Sequence, residues 1–201
     1  MPDRLLPDTA GLALAADLLR NGELVAFPTD TVYGIGCRPG DPGALARLFA
    51  AKGRPLEKAV PWLVRSLDEV AALGFRADDR AVRLADRFWP GALTLVLPGG
   101  EGAATQAFRV PDHPVTLALL AAAGPLAVSS ANRSGEPETL DADDVAIAFA
   151  GSDEPAATID GGRVPGGIAS SVLDLSGPRA RLVREGALPR AEIESTIGPI
   201  D

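Results

Sequence analysis

The stretch Val25-Ala26-Phe27-Pro28-Thr29-Asp30-Thr31-Val32-Tyr33-Gly34-Ile35-Gly36, followed further on by Lys52-Gly53-Arg54-Pro55, decides how the chain is read. Residues 24–27 form a short apolar run with a strand's composition. Pro28 has no N–H to donate and so ends the strand's ladder. The hydroxyls of Thr29, Thr31 and Tyr33 and the carboxylate of Asp30 then crowd together. Gly34-Ile35-Gly36 would let the backbone come close to a neighbour. Polar chemistry at the end of a buried strand is where α/β proteins hold ligands. The same residues also suit a strand that stops at a proline and turns on glycines, and spacing alone does not separate the two.

The 201 residues are most simply one α/β domain spanning 1–201. Hydrophobic residues make up 46% and aromatics only 4%, so Ala, Val, Leu and Ile must build the core. No apolar run reaches the roughly 18 residues of a membrane span. The start Met1-Pro2-Asp3-Arg4 lacks a basic segment leading into an apolar one, so no signal peptide is expected and the default location is cytoplasmic. One cysteine, Cys37, rules out an internal disulfide, and with a single histidine, His113, it argues against a soft-metal site. A net charge of −8 disfavours broad contact with nucleic acid but leaves room for a local basic pocket.

Periodicity and breakers predict helices over 8–21, 42–52, 66–73, 78–88, 114–123, 141–150 and 189–195. Strands are predicted over 24–27, 60–64, 93–97, 107–110, 126–129, 157–159, 171–175 and 181–184. Pro61 marks its strand as an edge or an irregular start.

Lys52-Gly53-Arg54-Pro55 is either an ordinary helix stop or a pair of cations gripping phosphates or carboxylates. Arg109 sits inside a strand, on a solvated face or aimed at an anion. His113, between Asp112 and Pro114, reads as a helix cap or a satisfied surface histidine rather than a base. Val128-Ser129-Ser130-Ala131-Asn132 ends an apolar strand in neutral donors and acceptors, suited to a turn or to a nucleotide. Neither a Gly-x₄-Gly-Lys-Ser/Thr loop nor a Gly-x-Ser-x-Gly elbow is present.

Taken together and in order, Phe27–Gly36, Lys52-Gly53-Arg54-Pro55, Trp89-Pro90-Gly91-Ala92-Leu93-Thr94-Leu95-Val96, Arg109–Pro114 and Ser130-Ala131-Asn132 resemble the YrdC/TsaC family of L-threonylcarbamoyladenylate synthases. Gly135, Pro137, Asp160-Gly161-Gly162 and Arg184 continue the likeness across about residues 10–190. It implies a twisted, mostly parallel open sheet flanked by helices around a concave, positively lined cavity, in the single-domain form. It also implies an enzyme that joins L-threonine, bicarbonate or CO₂, and ATP into threonylcarbamoyl-AMP, releasing pyrophosphate. Such enzymes hand the product to a transferase complex that modifies tRNA, and a weak contact with tRNA is compatible with the family.

On this resemblance Lys52, Arg54 and Lys58 would hold ATP phosphates, Lys52 and Arg54 being the catalytic pair. Ser130 and Asn132 would bind the nucleotide, and Arg184 would close over it. Thr29, Arg109 and Ser170 would contact threonine, and Mg²⁺ would accompany ATP without a protein metal site. The sequence departs from the family pattern at Leu56–Leu63, which lacks a histidine, at Gly167-Ile168-Ala169-Ser170-Ser171, where Ala169 replaces a carboxylate, and at Arg184-Glu185-Gly186. The rival readings are an RNA-binding module on the same fold and a paralogue that binds nucleotide but makes a different product.

Overall fold

The computed structural model describes residues 3–53, 60–100, 104–151, 154–166 and 168–201. Val25–Phe27 (β2) is a strand with both faces buried, and it stops just before Pro28, as the missing N–H requires. Its side chains alternate between two apolar clusters: Val25 and Phe27 enter one, Leu24 and Ala26 the other. Gly34–Cys37 (β3) returns antiparallel to it, pairing Phe27 with Gly34.

This second strand was not expected. The glycines read as a place for close backbone approach are indeed approached, but by the protein itself. A Cβ on Gly34 would lie 2.8 Å from Val128 Cγ1, and one on Gly36 would lie 3.2 Å from Phe27 Cε1. Asp3–Leu5 (β1) was also unforeseen; it is short and charged, and it owes its conformation to parallel pairing with Ala157–Ile159 (β8). The strand predicted over 60–64 narrows to Trp62–Leu63 (β4).

The remaining strands are Leu93–Leu97 (β5), Gln106–Arg109 (β6), Leu126–Ser130 (β7), Ser171–Asp174 (β9) and Arg181–Arg184 (β10). Among the described residues they make one open sheet in the order β1-β8-β2-β3-β7-β4-β6-β5-β9-β10. Parallel pairs join β1 to β8, β8 to β2, β4 to β6 and β5 to β9, and the other neighbours run antiparallel.

Helices flank both faces. Thr9–Arg20 (α1) and Pro114–Ala123 (α5) cover Val25, Phe27, Leu126 and Val128. Pro42–Lys52 (α2) and Ala142–Ala148 (α6) cover Ala26, Ile35 and Ala127 from the other side. Leu67–Ala72 (α3), Asp79–Phe88 (α4) and Arg190–Ile197 (α7) serve the far half of the sheet, where Leu93, Leu95, Leu97, Phe108 and Leu173 share one cluster. Each fully buried Leu, Val or Phe there contributes about 1.5–3 kcal/mol.

Caps follow the sequence signals. Asp8, Asp41, Ser66, Asp78 and Asp141 each accept a backbone N–H from the first turn of their helix. Gly53, in the left-handed conformation at φ 61°, ends α2.

Candidate active site

Alternation along β5 and β6 prepares a polar patch. Leu93, Leu95, Phe108 and Val110 point into the apolar cluster, which leaves Thr94 and Arg109 on the opposite face. Leu63, the partner of Arg109 in β4, belongs to the cluster beneath α1 and α5. The polar patch thus continues the face that those helices cover at the other half of the sheet.

Arg109 is only 7% exposed. Its Nη2 donates to Asp30 Oδ1 at 2.6 Å, Nη1 to Thr31 Oγ1 at 3.1 Å and Nε to the Gly91 carbonyl at 2.9 Å. Burial pulls this guanidinium below its ordinary value, Asp30 pulls it back, and the positive charge of Arg184 lowers it again. It stays charged, because an arginine starts so high. The in-strand arginine is therefore aimed at an anion, one supplied by the Pro28–Thr31 turn. Breaking such a buried pair from one side costs about 3–5 kcal/mol.

The turn itself is internally tied. Thr29 Oγ1 donates to the Val32 carbonyl at 2.6 Å, accepts from the Thr31 and Val32 N–H groups, and lies 3.1 Å from Thr31 Oγ1. Thr116 of α5 donates its hydroxyl to the Pro28 carbonyl. Tyr33 is fully buried, and its hydroxyl donates to the Gly162 carbonyl at 2.8 Å and accepts from the Gly161 N–H at 3.2 Å. Burial pushes this phenol up to about 12.

Ser170 and Arg184 form a second part of the same patch. The Ser170 carbonyl accepts from Arg184 Nε at 3.1 Å and Nη2 at 2.7 Å, and Ser170 Oγ lies 2.8 Å from Thr94 Oγ1. The structure thus brings Arg184 to Ser170.

A third group lies where β7 ends. Lys52, 2% exposed, donates Nζ to the Ser130 carbonyl at 2.6 Å, to Asn132 Oδ1 at 2.9 Å and to the Asn132 carbonyl. Ser130 Oγ donates to Asn132 Oδ1 at 2.6 Å, and Asn132 Nδ2 donates to the Glu136 carbonyl at 2.6 Å. The helix-stop reading of Lys52-Gly53 is realised, since Gly53 caps α2, and the ammonium is turned onto neutral oxygens of the 130–132 loop. Ser130 pairs with Gly34, so this group adjoins the strand that leaves the Thr29 turn.

Arg54 and Lys58 lie outside the described residues. Sequence reasoning placed Asp30 and Thr31 in the polar turn after β2 without giving them a binding role, and quoted Thr94 only within the Trp89–Val96 motif. Their roles depend on contacts between segments, as for Thr94 with Ser170, 76 positions apart. His113 precedes α5 but forms no side-chain cap, and its buried Nδ1 has no hydrogen-bond partner among the described residues. It is thus not the satisfied surface histidine expected. Burial lowers its pKa against the opposing pull of Asp30 and Asp112.

Among the described residues no set of three or more His, Cys, Asp or Glu could hold a metal ion. Surface depressions of about 470 and 380 Å³ lie on α3 and α4 and include none of the candidate site residues. Lys52 and Arg184 among neutral oxygens, with Arg109 paired to Asp30 beside a hydroxyl-lined turn, can hold anionic or zwitterionic groups.

Comparison with known proteins places this arrangement. Threonylcarbamoyl-AMP synthase of Pyrococcus abyssi is 42% identical over 198 residues, covering 94% of this chain and 58% of that protein. The Bacillus subtilis protein of the same name is 39% identical, covering 98% of this chain and 60% of that protein. The crystal structure of P. abyssi Sua5 complexed with L-threonine superposes with a TM-score of 0.91 at 39% identity, covering all of this chain and 62% of that one. The chain therefore spans about three-fifths of the length of these relatives. With the family profile described as "Telomere recombination" matching residues 17–186, the chain belongs to the Sua5/YciO/YrdC family.

Proposed function

We propose that the protein makes threonylcarbamoyl-AMP from L-threonine, bicarbonate or CO₂, and ATP. In the reaction the threonine amine takes up CO₂ and loses a proton to give a carbamate. A carbamate oxygen then attacks the α-phosphorus of ATP, and pyrophosphate leaves with the electrons of the broken P–O bond. The single observation that carries the reading is the pairing of two anion-seeking groups across one turn. Thr31 contacts Arg109 directly and Thr29 through Thr31, and the strand that follows them pairs with Ser130, which Lys52 holds.

In this reading Thr29, Arg109 and Ser170 receive threonine, with Arg109 exchanging part of its contact with Asp30 for the substrate carboxylate or carbamate. Lys52, Arg54 and Lys58 would hold the phosphates, and Ser130 and Asn132 would bind the nucleotide. Arg184, held on the Ser170 carbonyl, would close over the bound nucleotide. No side-chain base is required, because positioning and charge neutralisation supply the catalysis. Mg²⁺ would enter as the counter-ion of ATP. The chain would act as one domain in the cytoplasm, passing its product to a complex that modifies tRNA. No helix among the described residues is long and apolar enough to cross a membrane.

The test is pyrophosphate release from ATP with bicarbonate and each amino acid in turn. Release stimulated by L-threonine above the blank is expected. Stimulation by a different amino acid, or none by threonine, would transfer the reading to the paralogue alternative.

A further inference from the structure

The polar patch contains one hydroxyl that no role yet explains. Thr94 lies in the middle of an otherwise apolar strand and is only 2% exposed. Leu93, Leu95 and Leu97 enter the core on the other face, and Leu95 pairs with Phe108. The residues adjoining that pair, Thr94 and Arg109, therefore fall on the same side of the sheet. A buried hydroxyl is costly unless it is hydrogen-bonded, and the Thr94 hydroxyl meets Ser170 Oγ at 2.8 Å.

Everything else about Ser170 is already fixed. Its carbonyl takes two N–H groups from Arg184, and the next residue, Ser171, donates its N–H to the Ala92 carbonyl at 3.0 Å. Leu93 pairs with Ser171 at the start of β9. What remains variable at Ser170 is the rotation of its side chain, which Thr94 at 2.8 Å holds more closely than its other partner, Arg184 Nη2 at 3.4 Å. As a β-branched residue on a strand, Thr94 has little rotamer freedom of its own. Stability does not demand this pair, because replacing both mutually bonded groups by apolar ones of the same shape can be nearly neutral, and with Thr94 alone replaced the Ser170 hydroxyl keeps Arg184 Nη2 at 3.4 Å. A valine would fill the Thr94 position equally well on packing grounds.

We infer that Thr94 is a positioning residue for the amino-acid substrate: it holds the Ser170 hydroxyl in the rotamer that hydrogen-bonds L-threonine. This rests on the reading of Ser170 as a threonine contact. It adds a specificity determinant on β5, where no loop or charged residue advertises one.

Calorimetric titration of L-threonine into the wild type and the Thr94→Val, Thr94→Ala and Thr94→Ser variants tests it, with the KM for ATP measured alongside. Thr94→Val and Thr94→Ala should weaken threonine binding about tenfold, while Thr94→Ser stays within about twofold of wild type and the KM for ATP does not move. Should Thr94→Val fail to fold, the Ala and Ser variants carry the comparison, because both lack the methyl group and differ only in the hydroxyl. Wild-type affinity in Thr94→Ala, equal loss in Ala and Ser, or a parallel rise in the KM for ATP overturns the inference. A wild-type protein that binds no threonine overturns the reading of Ser170 and, with it, this role for Thr94.

Discussion

Lys52 shows how one side chain can have both a local and a distant function. It belongs to the last turn of α2, where a cation favours the helix dipole, and Gly53 behind it ends the helix. Its ammonium nevertheless crosses to the 130–132 loop, 78 to 80 positions away. If it meets the phosphates of ATP, Lys52→Met should keep the volume and lose the charge-assisted contact. A loss of about 2–4 kcal/mol in transition-state binding is expected, read as a fall of about 30- to 1000-fold in kcat/KM for ATP. A wild-type rate would mean that the residue ends its helix and holds the 130–132 loop without meeting the phosphates. At this scale the sequence was a partial guide. Lys52, Ser130, Asn132, Thr29, Arg109 and Ser170 stand out by type and motif, and Asp30 and Thr31 stand out as polar residues of the turn, whereas their pairing with Arg109 and the part played by Thr94 depend on partners far along the chain.

At the scale of elements, the turn between β2 and β3 is held from outside as well as from within. Tyr33 bridges Gly161 and Gly162, Asp160 Oδ1 accepts the Gly162 N–H, and Arg4 binds Asp160 Oδ2 at 3.0 Å. Further along, Gly166 packs so tightly that a Cβ there would overlap the Thr31 carbonyl and lie 2.9 Å from Leu140 Cδ2. Gly166→Ala must therefore displace the turn that carries Thr29. It should lower stability by about 1–3 kcal/mol and weaken threonine binding at the same time. Chemical denaturation and calorimetry on one preparation check both, and unchanged threonine affinity in a folded variant would detach this contact from the site. The helices were legible from period and cap residues, because those signals are local. β3 was not, since its glycines speak for a loop until Val128 and Phe27 are seen to press on them. β1 was missed for a similar reason, its three residues being extended only through pairing with β8.

For the whole molecule, an α/β fold followed from alternating strand and helix patterns, and the family motifs narrowed it to one open sheet. Strand order was beyond local patterns: β4 lies between β7 and β6, and β9 joins β5, so chain neighbours are often not sheet neighbours. That order puts the Thr29 turn in contact with Arg109 on one side and places Ser130 beside the strand leaving it on the other. The central claim is that these segments make one site for a triphosphate and a small hydroxy amino acid. A crystal structure with L-threonine and a non-hydrolysable ATP analogue tests it most directly. The account predicts threonine against Thr29, Arg109 and Ser170, with the phosphates against Lys52 and the nucleotide at Ser130 and Asn132. Either ligand bound elsewhere on the protein, with those side chains left as they are, would contradict it.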